Sequence, residues 1–118
     1  NKILFEIDYK PEKVLNFINK FNYKFGINYD TGNSASLNYD FEKEKKYFGH
    51  VYNIHIKDRV KFGKTVRLGK GNWKSKKFFS YLKKIKYKKN LILQTARSAN
   101  NNHENEILTN IKFIKQYI

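Results

Sequence analysis

Apolar residues fall along this chain in two alternating rhythms, short near-continuous runs and longer stretches spaced three and four apart, and the alternation predicts strand followed by helix throughout. Ile3-Leu4-Phe5-Glu6-Ile7-Asp8 is an apolar run ending in acids and predicts a first strand. Pro11 then stands where a first helical residue can lack its N–H, ahead of Val14, Leu15, Phe17, Ile18 and Phe21 at helical spacing. Phe25-Gly26-Ile27-Asn28-Tyr29-Asp30 predicts a second strand, then a Gly/Asn/Ser loop and a short helix from a cap at Asp40 to a stop at Gly49.

Val51 to Lys57 predicts a third strand, followed by a Gly-rich loop through Gly63, Gly69 and Gly71. A helix starting near Trp73 places Phe78, Phe79, Leu82 and Ile85 on one stripe. Leu91 to Ala96 completes a fourth strand, and Ile107, Leu108, Ile111, Ile114 and Ile118 mark the last helix.

Strands that are apolar nearly throughout, alternating with amphipathic helices, predict a parallel sheet with covered faces. An open sheet of the flavodoxin type fits that pattern too. A barrel is favoured because each strand carries a polar, ligand-capable residue near its C-terminal end, Glu6, Asp30, His55 and Gln94, and barrel sites are assembled at that end. A whole (β/α)8 TIM barrel takes roughly 250 residues in eight units. Residues 1–118 therefore read as a single partial domain, the C-terminal half of such a barrel with strands five to eight, the N-terminal half lying upstream. An isolated half exposes unpaired edges and an open interior, so the chain alone is expected to fold poorly or to form a homo-oligomer.

Composition trims the chemistry. There is no Cys, which excludes disulfides and thiolate ligands or nucleophiles. No run approaches the roughly 18 apolar residues of a membrane span, so no membrane partner is expected and the cytoplasm is the default location. A net charge of +15 ordinarily raises nucleic acid or an anionic surface as partner. Here the excess is Lys, travelling with abundant Asn, Ile, Tyr and Phe, the bias of an A/T-rich coding sequence. Lys20, Lys43, Lys45, Lys46, Lys83, Lys84, Lys112 and Lys115 scatter over outer helix faces rather than forming a stripe, which argues against nucleic acid.

The four strand-end residues offer carboxylate, carboxylate, imidazole and amide oxygen, a coordination set for one divalent ion such as Mn²⁺, Mg²⁺, Co²⁺ or Zn²⁺. On spacing alone, four unrelated solvated groups remain the alternative. Asn33 follows Asp30 closely enough to meet a substrate hydroxyl, or serves only as a turn residue. Lys57, Arg59 and Arg97 follow ligand strands into loops where they would clamp a phosphate or carboxylate, or simply face solvent. Asp58 is placed to orient His55 or to pair with Arg59.

Asp30-Thr31-Gly32-Asn33 resembles an Asp-x-Gly-Asn turn, and His55-Ile56-Lys57-Asp58-Arg59 a His-x-Lys-Asp motif, of the xylose-isomerase-like TIM-barrel family of sugar phosphate isomerases and epimerases. Val66-Arg67-Leu68-Gly69-Lys70-Gly71-Asn72 is similar to that family's Val-x-Leu-Gly-x-Gly loop. Lys86 to Gln94 matches its Gly-Tyr-x-Gly approach to the last ligand only in part, keeping Tyr87 but carrying Lys86 and Lys89 at the two glycine positions. The resemblance implies one divalent metal on Glu6, Asp30, His55 and Gln94, with Glu6 the catalytic carboxylate and a sugar or sugar phosphate as substrate.

One departure narrows the reaction. The family's second proton-transferring Glu is Gln94 here, and an amide does not shuttle protons near neutral pH. The resemblance then favours an isomerase working through Glu6 and an enediolate over a two-base epimerase. A degenerate barrel that only binds a sugar is the alternative, as is an apurinic-endonuclease-like nucleic-acid enzyme. That second branch uses a His-rich cluster of several metals, and only His55 stands at a strand end.

Overall fold

The computed structural model describes residues 1–118. In chain order the elements are β1 (Ile3–Glu6), α1 (Pro11–Ile18), β2 (Phe25–Asp30), α2 (Thr31–Ser36), α3 (Phe41–Glu44), a 3-10 turn (Lys45–His50) and β3 (Val51–Ile56). There follow β4 (Asp58–Arg59), β5 (Thr65–Val66), α4 (Ser75–Lys84), β6 (Asn90–Leu93) and α5 (His103–Lys115). Strands β1, β2, β3 and β6 form one sheet in that order, parallel throughout, and β4 with β5 makes a small antiparallel hairpin beside it.

Side chains alternate across a strand, and the two faces of this sheet differ sharply. Ile27, Tyr29, Ile54 and Ile56 enter the core, where Val14 and Ile18 of α1, Phe48 of the 3-10 turn and Phe78, Phe79 and Leu82 of α4 meet them. The opposite face carries Glu6, Asn28, Asp30, Asn53 and His55, aligned by the register Glu6 with Asn28, Asn28 with Asn53 and Asp30 with His55. The apolar layer is thus single, between sheet and helices. Accessible area is 7873 Å², above the roughly 6,800 Å² of a compact monomer of this mass. Apolar residues stand open at both sheet edges, Ile3 at 60 % and Ile92 at 46 % exposure.

Several elements depart from the sequence pattern. The loop expected after Asp30 is helix α2, because the Asp30 side chain accepts from the Asn33 backbone N–H and caps it. Asp40 does cap α3, but that helix lasts one turn before tightening to 3-10 geometry up to His50. Ile85 falls at the C-cap of α4 and is exposed. The first strand stops at Glu6 and the last at Leu93, leaving Ile7, Asp8 and Gln94 to Ala96 outside the sheet assignment.

The last helix is the largest surprise. Ile107, Leu108, Ile111 and Ile118 are exposed, whereas Glu106 and Asn110 point inward. Asn110 donates to the Glu106 carbonyl and accepts from the Leu68 N–H, while the Glu106 carboxylate takes a fork of two bonds from Arg67 at 2.8 and 2.6 Å. Polar bonds to the loop dock the first half of this helix, while Phe113, Ile114 and Tyr117 pack its far end against the core, so Ile114 is the one member of the predicted stripe that faces inward.

Glu44 is the least expected core residue. It is 1 % exposed, and its carboxyl accepts from the hydroxyls of Tyr29, Ser34 and Tyr47. Burial nevertheless holds its pKa above the ordinary 4.5, the three hydroxyls opposing that rise without cancelling it. The folded state therefore binds the proton more tightly than the unfolded one. This contribution is full below the unfolded pKa and is lost as pH rises through the folded value. Glu44→Gln is expected to flatten that decline, visible as a smaller loss of urea midpoint between acid and neutral pH. Parallel pH profiles for the two proteins would contradict it.

Candidate metal centre

Three adjacent strand ends converge on the polar face. Glu6 closes β1, Asp30 closes β2 and His55 lies one residue before the end of β3, and one donor atom from each lies within 4.8 Å of the others. An ion with donors about 2.1 Å away needs them roughly 3–4 Å apart, so modest side-chain movement would bring all three onto one ion. Two carboxylates and an imidazole suit a divalent ion of hard to borderline character.

Asp30 supplies the best local evidence that a cation fits. It is 5 % exposed. Its Oδ1 accepts from the Asn33 N–H at 2.9 Å, while Oδ2 is buried without any hydrogen-bond partner. The Lys57 ammonium stands 3.4 Å from Oδ2 as an ion pair only. A buried carboxylate oxygen left in that state is costly, and a coordinated cation would satisfy it.

Behind the triad lies a pair of amides that the sequence reading missed. Asn28 Nδ2 is 3.4 Å from His55 Nδ1, and Asn53 Nδ2 bonds to Asn28 Oδ1. Both residues are 8 % exposed. The signal was present in the strand period, since Asn28 and Asn53 each stand two positions before a candidate ligand and so share its face.

The remaining sequence candidates scatter around this core. The Gln94 N–H bonds to the Ile56 carbonyl, extending the ladder one step, and Ile92 pairs with His55, so Gln94 shares the face of His55 but is exposed beyond β6. Lys57 crosses over Gly32, where an added Cβ would lie 2.7 Å from its Cγ and Cδ, and reaches Asp30. Arg59 bonds through Nη1 to Asn33 Oδ1 and through Nε to the Gly63 carbonyl. These three residues form one group beside the triad. Arg97 is exposed in the segment after β6.

Asp58 does not do what its position suggested. It neither orients His55 nor pairs with Arg59. It is completely buried, and its two oxygens accept from the N–H groups of Gly69, Gly71 and Trp73 at 2.9, 3.1 and 3.1 Å. One residue of register decides this, because Asp58 follows the opposite strand face from His55 and Lys57. Its carboxylate fills the backbone nest of the Val66 to Asn72 loop, which is therefore closed to a phosphate.

The fold has solved relatives. A xylose isomerase domain protein from Planctomyces limnophilus superposes with a TM-score of 0.82 at 19 % identity, covering 98 % of this chain and 45 % of that one. The chain thus spans less than half of that relative's length. No curated protein matches it. Residues 4–117 match the family described as xylose isomerase-like TIM barrel, which includes sugar isomerases and epimerases as well as apurinic-endonuclease-like members. With its parallel sheet, covering helices and strand-end polar cluster, the chain belongs to the xylose isomerase-like TIM barrel family.

Proposed function

We propose that this chain is part of a divalent-metal-dependent sugar or sugar-phosphate isomerase, and that it supplies strands five to eight of the barrel. The observation that carries the reading is the convergence of Glu6, Asp30 and His55 within 4.8 Å at adjacent parallel strand ends. Glu6, Asp30 and His55 would hold one ion, with the Gln94 amide oxygen as a fourth donor. When bound, such an ion would polarise a carbonyl and stabilise negative charge developing on oxygen.

Glu6 is then the base. It takes a proton from the hydroxyl-bearing carbon beside the substrate carbonyl, leaving an enediolate, and returns that proton to the former carbonyl carbon while the hydroxyl proton passes to the former carbonyl oxygen, so one carboxylate serves both directions. Asn33, Lys57 and Arg59 line the approach from α2 and the loop after β3. Lys57 and Arg59, with Arg97 across the face, supply the positive charge that would hold a substrate hydroxyl-rich chain or its phosphate.

Glu6→Gln separates the roles of ligand and base. It should retain a bound ion with reduced affinity while turnover of an aldose–ketose panel falls by at least about 10²-fold, the usual worth of a general base. Metal analysis of the purified protein and isomerase assays check this. Unchanged turnover would remove Glu6 from the mechanism, and no turnover by the parent protein on any sugar would favour a barrel that binds without reacting, the reading that Gln94 motivates.

A further inference from the structure

We propose that Asn28, buttressed by Asn53, selects which ring nitrogen of His55 carries the proton and turns its amide over when an ion enters. This rests on the metal-binding reading above and adds two residues to that site. Because Asn28 engages Nδ1 at 3.4 Å, the proposal assigns Nε2 to the ion.

As the amide stands, Asn28 Nδ2 donates to Nδ1, so a neutral ring holds its proton on Nε2. That form suits an ion-free site, where an N–H facing two carboxylates is favourable. It does not suit coordination, which needs the Nε2 lone pair. The remedy is local. Carboxamide oxygen and nitrogen are nearly equal in size, so a half-turn of Asn28 places Oδ1 against Nδ1 at little steric cost. The proton on Nε2 leaves to solvent, one is taken up from solvent at Nδ1, and the ring stays neutral.

Asn53 makes the turn workable. In the present arrangement its Nδ2 bonds Asn28 Oδ1, while its own Oδ1 is buried without a partner. When Asn28 turns, it offers Nδ2 to Asn53, whose Oδ1 rotates in to accept. The chain of bonds reverses without gaining or losing a link, so the two amides do not oppose the turn, and what faces Nε2, carboxylates alone or an ion, decides the orientation. A carboxylate in place of Asn28 would accept only, and would fix one tautomer.

The test uses ¹⁵N-histidine NMR of the full chain at alkaline pH, with and without Zn²⁺, for the parent protein, Asn28→Asp and Asn28→Leu. The parent is expected to show the Nε2–H form without metal and the Nδ1–H form with it. Asn28→Asp should show Nδ1–H in both conditions and bind Zn²⁺ at least as tightly as the parent. Asn28→Leu should weaken Zn²⁺ binding about 10–100-fold, the usual effect of losing a residue behind a ligand histidine. The same His55 tautomer in the parent and Asn28→Asp without metal would overturn the role of Asn28. Failure of the parent to bind Zn²⁺ would sink the metal reading instead, while the metal-free comparison still decides the tautomer assignment. Native dispersion of the backbone amide signals in Asn28→Asp rules out misfolding as the cause of any change.

Discussion

Asp30→Asn is expected to weaken divalent-ion binding by more than 100-fold, beyond the roughly 10–100-fold loss that follows removal of a supporting residue, while leaving the fold intact. The reason is that Asp30 does two jobs with two oxygens. Oδ1 caps α2 through the Asn33 N–H, and Oδ2 is the buried oxygen without a hydrogen bond. Asn keeps an acceptor for the cap but puts a neutral NH₂ where the ion needs a negative oxygen. Lys57, 3.4 Å from Oδ2 and partly exposed, can swing to solvent.

Asp30→Ala should lose the ion equally and also cost about 1 kcal/mol of stability through the missing cap. Calorimetric titration with Mn²⁺ and urea unfolding of both variants separate the effects. Wild-type affinity in Asp30→Asn would show that this residue is a helix cap and nothing more.

Asp58→Ala is expected to be the most destabilising single change, costing about 4 kcal/mol or more, a large share of a typical stability of about 5–15 kcal/mol. Three partly buried hydrogen bonds from backbone N–H groups converge on that fully buried carboxylate, and each donor left without an acceptor inside the structure costs roughly 1–3 kcal/mol. No other side chain reaches them. The fit around the loop is close as well. A Cβ at Gly71 would lie 2.6 Å from the Arg59 carbonyl oxygen and press on Asp58 Oδ1, so the backbone cannot shift to find new partners.

Asp58→Asn keeps the shape but loses the charge and turns one acceptor into a donor facing an N–H. It should fall between Ala and the parent. Urea midpoints order the three proteins, and an Asp58→Ala protein as stable as the parent would mean that water replaces the carboxylate. Because the loop held by Asp58 leads through Leu68 to Asn110 and through Arg67 to Glu106, loosening of α5 should accompany the loss, seen as faster amide exchange in that helix.

Much of the molecule was legible from residue order. Short runs of branched and aromatic residues cannot bury both faces as helices of that length, so Ile3, Phe25, Val51 and Leu91 mark strands that the structure contains. Polar residues at the ends of those strands pointed to Glu6, Asp30 and His55 because parallel strands all finish on the same side. Their convergence needed no side-chain detail, only direction and order.

What residue order left undecided depended on which face each side chain takes and on what lies across from it. Asp58 adjoins a candidate ligand motif in sequence, yet one step of strand alternation sends it into the loop beyond β3 rather than towards His55. Asn28 and Asn53 read as ordinary strand residues until neighbouring strands set them side by side. The isoleucines of α5 look like a core stripe, but tertiary bonds from Arg67 and Leu68 turn Glu106 and Asn110 inward and only Ile114 of that stripe packs against the core. Local pattern determines the element and its period. Register and long-range hydrogen bonds determine which groups meet, because they join residues far apart in the chain.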